Sequence, residues 1–107
     1  MATYPSGTIA VIFAAQLTGV DGEGYGKAAM EMVALAQKQR GYAGIDSVRD
    51  ATGLGITISY WTDEAAAIAW RKNAEHAAIR DTGRERWYSH YSLHVAEIGR
   101  SYDWQKQ

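Results

Sequence analysis

Residues Thr8 to Thr18, TIAVIFAAQLT, decide how the rest of the chain is read. The β-branched residues Ile9, Val11 and Ile12, together with Phe13, favour a strand, and the turn formers Asp21 and Gly22 follow it. Successive side chains of a strand point to opposite faces, yet the centre of this one is apolar at odd and even positions alike. A sheet with one face in water would alternate, so both faces of this strand are expected to be covered.

Downstream, Tyr25, Ala29, Met32, Val33 and Ala36 recur at helical spacing and predict a helix over Glu23 to Arg40, which Gly41 stops. A strand from Gly44 to Arg49, a turn at Asp50 to Gly53 and a strand from Leu54 to Trp61 form a hairpin. In that last strand Leu54, Ile56, Ile58 and Tyr60 point one way, and Thr57, Ser59 and Trp61 the other. Thr62 or Asp63 caps a second helix, favoured by the run Ala65 to Ala69. On one unbroken helix Trp70, Asn73 and Ala77 share a face with His76 at its edge. The alternative is a bend at which Asn73 caps a second piece, and the bend is preferred because Ile68 and Ile79 otherwise point into a charged face with Arg71, Lys72 and Glu75. Gly83 would end that piece, and Tyr88 to Arg100 reads as a final strand. The order strand, helix, strand, strand, helix, strand is the α+β ferredoxin-like split βαβ pattern, in one domain over residues 1–107. Its helices cover one sheet face, so the doubly apolar first strand predicts that the other face meets a second copy in a homodimer.

A net charge of -1, with acids and bases interspersed, provides no basic stripe for a phosphate backbone, which argues against nucleic acid. Without cysteine there is no disulfide or thiolate chemistry, a composition compatible with a reducing cytoplasm. The longest apolar run, Ile9 to Ala15, is too short to span a bilayer, so a soluble protein is expected. Gly22 to Lys27, GEGYGK, lacks the first glycine and the terminal hydroxyl residue of a phosphate loop, and Asp21 and Glu23 would repel phosphate. His90 and His94 would lie about 13 Å apart on a strand at ~3.3 Å per residue, too far to share a zinc ion. No metal is expected, and no flavin or nucleotide.

The chemistry concentrates between Tyr60 and Tyr91, where Tyr60, Trp61, Trp70, Trp87, Tyr88 and Tyr91 surround Asn73 and His76. Flat rings of this kind line a pocket for a small aromatic ligand, or else simply pack a core. His76 is the group there whose ordinary pKa suits proton transfer near neutral pH.

As a set, Gly41-Tyr42-Ala43-Gly44 with Ser47 and Arg49, Ile58 to Trp61, Ala69-Trp70-Arg71, Glu75-His76 and Gly83 to Tyr88 with Tyr91 resemble the antibiotic biosynthesis monooxygenase (ABM) domain family. The resemblance implies a dimeric α+β barrel with a ligand cavity in each subunit between sheet and helices. It also implies oxygenation of a phenolic or quinol-like aromatic without flavin or metal, or alternatively haem binding and degradation, or non-catalytic binding of an aromatic ligand. In the first case the resemblance implies catalytic roles for His76, Asn73 and Trp70, with Trp61, Tyr60, Trp87 and Tyr88 around the substrate. Haem-degrading members carry an asparagine on the first strand, where this chain offers only Gln16.

Overall fold

The computed structural model describes residues 2–80 and 86–107, with residues 74–80 described by their backbone alone. Six elements follow in order: β1 (Ile9–Leu17), α1 (Gly22–Gln37), β2 (Tyr42–Arg49), β3 (Leu54–Trp61), α2 (Glu64–Arg80) and β4 (Tyr88–Glu97). The four strands form one sheet in the order β2-β3-β1-β4, antiparallel throughout. This is the α+β ferredoxin-like arrangement expected from the element order.

The pairing register sorts the side chains into two faces. Ile9, Val11, Phe13 and Ala15 stand opposite Trp61, Ser59, Thr57 and Gly55 on β3, and opposite Glu97, Val95, Leu93 and Tyr91 on β4. This is the helix-covered face, because Ile9, Val11 and Trp61 share one buried cluster with Ala36 of α1 and Ala66, Ala67 and Trp70 of α2. The opposite face carries Ala10, Ile12 and Ala14 with Leu54, Ile56, Ile58 and Tyr60, and on β4 His90, Ser92, His94 and Ala96. Tyr60 and Trp61 therefore diverge, as strand alternation requires.

Local chemistry sets the ends of the elements. Asp21 sits in the left-handed region at φ 53°, an Asp-tolerant conformation, and its carboxylate accepts from the Gly24 backbone N–H to cap α1. A Cβ at Gly24 would collide with that carboxylate, so a larger residue there would displace the cap. Gly41, at φ +83°, turns the chain where a side chain would also meet Ala66. Asp63 caps α2 by accepting from the Ala66 N–H at 2.8 Å, and it holds the Arg40 guanidinium at 3.0 Å.

One expectation is overturned. Helix α2 runs without interruption from Glu64 to Arg80, so Asn73 begins no new helix. The argument for a bend was the cost of an isoleucine on the charged face. Ile68 is in fact 40% exposed, a burden that single surface hydrophobics routinely carry. Strand β4 also stops at Glu97, short of Arg100. The expected stop at Gly83 lies outside the described residues.

Candidate functional site

The helix-covered face has two ends of different character. At one end Trp61 is wholly enclosed, stacked on Trp70 with centroids 5.5 Å apart and edge-on to Tyr42 at 5.9 Å. Its indole N–H donates to Ser59 Oγ at 2.9 Å, which satisfies the one polar atom on the ring. Here α1 and α2 close onto the sheet through small residues, Ala36, Ala66 and Ala67.

At the other end burial is mixed: Phe13, mid-strand on the covered face of β1, is partly exposed, as are Thr57 and Leu93 beside it, while Ala15 is 1% exposed. Aromatic rings gather here, and the region between them is called the cleft below. Phe13 meets Tyr88 edge-on at 5.5 Å and Tyr91 at 5.3 Å. Tyr25, from the first turns of α1, meets Trp87 and Tyr88 edge-on, each at 5.9 Å.

Arg49, the last residue of β2, enters this cluster. Its guanidinium donates to the Tyr25 hydroxyl at 2.8 Å and to the Gly53 carbonyl at 2.5 Å, with its central carbon 5.2 Å from the Tyr25 ring centre. Among the described residues it pairs with no carboxylate. Nearby, the Ser47 and Thr57 hydroxyls hydrogen-bond across the hairpin at 2.7 Å. Burial pushes the Tyr88 phenol well above its ordinary value of 10, and its neighbour Tyr25 pushes it further in the same direction. Tyr88 thus stays a neutral hydroxyl in this setting.

The Trp87 backbone is tied to β1, its carbonyl accepting from the Thr18 N–H at 2.9 Å, while its indole N–H reaches the capping carboxylate of Asp21 at 3.4 Å. The left-handed Asp21 therefore serves both the helix cap and the placement of a cleft ring.

The residues singled out in the sequence divide among these regions. Trp87 and Tyr88 stand at the cleft with Tyr25. Trp61 and Trp70 form the closed end, and Asn73 on α2 is exposed. Tyr60 lies on the opposite sheet face, stacked on Tyr4 at 4.1 Å and donating to Asp46 at 3.0 Å. Its phenol is pushed up to about 12, by burial first and then by Asp46. The His76 side chain lies outside the described residues. His90 and His94 are exposed on the helix-free face, opposite Gln16 and Ile12.

Reading the sequence alone missed three members of the cleft. Tyr25 was counted as an apolar helix position, Phe13 as strand core and Arg49 as part of a resemblance. The missing signal is strand register, which alone places Phe13, Tyr91 and Arg49 on one face. Among the described residues no group of three or more His, Asp or Glu is placed to hold a metal ion, and no helix is long and apolar enough to cross a membrane.

A four-stranded split βαβ sheet with two helices defines the α+β ferredoxin-like class, and comparison with known proteins specifies the family. Residues 8–82 match the sequence profile of the family described as antibiotic biosynthesis monooxygenase, and the chain belongs to that family. It is 45% identical over 91 residues to the uncharacterized protein YqjZ of Bacillus subtilis, covering 85% of this chain and 79% of that one. Its fold is similar to that of SnoaB, a cofactor-independent oxygenase from Streptomyces nogalater, solved as a variant (TM-score 0.69, 13% identity, 85% of this chain and 92% of the other). It is also similar to that of PA3566 from Pseudomonas aeruginosa (TM-score 0.69, 20% identity, 89% of this chain and 97% of the other). At such identities the two structures establish the fold alone.

Proposed function

We propose that this protein is a cofactor-independent monooxygenase acting on a flat, electron-rich phenolic or quinol-like substrate. The observation that carries the reading is the aromatic end of the covered face, where Phe13, Tyr25, Trp87, Tyr88 and Tyr91 cluster and the Arg49 guanidinium, with no carboxylate partner among the described residues, lies against Tyr25. Rings supply stacking surface, and Arg49 supplies a fixed positive charge for an oxyanion on the ligand. The family membership and the fold shared with SnoaB support the reaction type.

The chemistry asks for a base, a bound anion and exclusion of water. A base takes a proton from a methylene or hydroxyl conjugated with the phenol. The resulting carbanion or phenolate passes one electron to O2, and the radical pair combines to form a C–O bond. The hydroperoxide then loses water, so a CH2 group and O2 become C=O and H2O, with the substrate as the only reductant. In this reading His76 on α2 is the base. The described groups of the cleft do not supply one, because a guanidinium stays protonated and Tyr88 is held neutral. His90 and His94 lie on the helix-free face, across the sheet from the cleft, so neither would help to hold a haem there.

The working unit in this reading is a homodimer joined through the helix-free faces, where Val48, Leu54 and Ile56 are 71%, 52% and 42% exposed. Oxygen uptake with a panel of anthrones and quinols tests the function, with an expected consumption of one O2 per substrate. Binding without uptake would make the protein a binding module, and absence of both would overturn the proposal.

A further inference from the structure

Glycine inside a strand gives up side-chain packing, and such a residue often marks a place where another group comes close. Gly55 is one. It stands in β3 on the covered face, paired with Arg49 of β2 on one side and with Ala15 of β1 on the other, and Ala15 in turn pairs with Tyr91 of β4. The row across the sheet therefore runs Arg49, Gly55, Ala15, Tyr91, with the two smallest residues in the middle. A Cβ on Gly55 would lie 2.6 Å from the Arg49 guanidinium carbon and 2.8 and 2.9 Å from its two terminal nitrogens. The guanidinium occupies the place of the missing side chain.

Two hydrogen bonds fix the group over that bare position. One terminal nitrogen donates to the Gly53 carbonyl and the other to the Tyr25 hydroxyl, at 2.5 and 2.8 Å. A guanidinium has five N–H donors, so three remain. The neighbouring carboxylate does not take them, because Asp50 Oδ1 accepts from Thr52 and from the Leu54 N–H within its own turn. Burial, with Tyr25, raises the Tyr88 phenol, and the Arg49 charge acts against them, so its field reaches that ring. Arg49 is nevertheless exposed, open to an anion arriving from solvent. A planar charge held in this way is organised before the ligand binds.

We propose that Gly55 is a specificity-determining position: by leaving room for the Arg49 guanidinium over the sheet, it makes the cleft select flat aromatic ligands bearing an anionic oxygen group, carboxylate or phenolate, over uncharged counterparts. Arg49 makes the contact, and Gly55 acts through it as a positioning residue. This selectivity rests on the cleft described under the proposed function and narrows the substrate class taken there.

The test compares naphthoate with naphthamide, alike in shape and different in charge, by fluorescence titration of wild type and Gly55→Ala. Wild type should prefer the naphthoate about 10- to 100-fold, the size expected of a charge-assisted hydrogen bond, and Gly55→Ala should lose most of that preference while binding the amide as before. The three atoms nearest a new Cβ all belong to the end of one long side chain, so the variant should fold and melt no lower than wild type. Nitrogen NMR should resolve the two Arg49 Nη signals in wild type, where rotation is restricted, and show one averaged signal in Gly55→Ala. A wild type that binds neither probe, or both equally, would overturn the inference. So would a Gly55→Ala protein that keeps the preference, or one that melts lower with its Nη signals still resolved. Oxygen uptake is scored separately: a naphthoate preference without uptake from any quinol leaves this selectivity standing and removes the monooxygenase, and uptake without the preference does the reverse.

Discussion

Replacing Trp61 with Phe separates the closed end of the molecule from the cleft. Trp61 has no exposed surface, and its ring is held between Trp70 and Tyr42. The substitution keeps one aromatic ring and removes roughly 40 Å³, which at about 24 cal/mol per Å³ of cavity costs about 1 kcal/mol. It also deletes the donor to Ser59 Oγ, a hydroxyl on a residue 4% exposed, at a cost of about 1 kcal/mol. Together the losses come to about 2 kcal/mol. With an unfolding entropy of about 2.1 cal/mol/K per residue, the 107-residue chain should melt about 9 °C lower. Thermal melts by circular dichroism, with urea titration as a check on ΔG, measure the change. Affinity for an aromatic ligand should stay within about twofold, because the cleft rings are Phe13, Tyr25, Trp87, Tyr88 and Tyr91. A drop below about 3 °C, or a loss of affinity larger than the loss of stability, would refute the reasoning that Trp61 belongs to the core.

Other perturbations address the cleft and the opposite face. Arg49→Ala should weaken binding of a phenolate or carboxylate-bearing aromatic about 10- to 100-fold by fluorescence titration, the worth of a charge-assisted hydrogen bond, with little effect on an uncharged analogue. His76→Ala should lower turnover about 10²- to 10⁴-fold with little change in ligand affinity, and full activity would end its assignment as base. Tyr60 titrates at about 12 in the folded protein against an ordinary 10, so its stabilising contribution is intact below pH 10 and disappears as pH rises through 12. Absorbance of phenolate at alkaline pH should show late-titrating tyrosines, Tyr88 among them, of which Tyr60→Phe removes one. Asp63, held below the usual carboxylate range by Arg40, contributes stability above that range which is lost as pH falls through its depressed value, so Asp63→Asn should flatten the acid limb of the melting curve.

Much of the fold was legible because it depends on local pattern. The alternation in β3 placed Tyr60 and Trp61 on opposite faces, and the order of strands and helices led directly to the split βαβ sheet. The continuity of α2 was misread because two isoleucines, Ile68 and Ile79, were weighted more heavily than the helix-favouring alanines around them. The cleft was only half legible. Trp87 and Tyr88 stood out by residue type, but Phe13, Arg49 and Tyr25 come from three separate elements and meet only through register, which no local pattern encodes. Tyr60 was drawn into the aromatic group by its place in the sequence, and one step of strand alternation carries it to the far side of the sheet.

The division of the covered face into a closed and an open end follows from residue size. Ala36, Ala66 and Ala67 bring the helices down onto Trp61, so a stacked pair of indoles fills the space there without remainder. Toward the other end the sheet contributes Phe13 and Tyr91, and the start of α1 contributes Tyr25 rather than alanine, so large rings meet there instead of small side chains. Tyrosines whose hydroxyls need polar partners cannot be sealed in as Trp61 is, and a guanidinium such as that of Arg49 needs solvent or an anion beside it. The same substitutions of large for small that open the cleft therefore make it polar at one edge, and a flat ligand bearing an oxyanion satisfies both consequences at once.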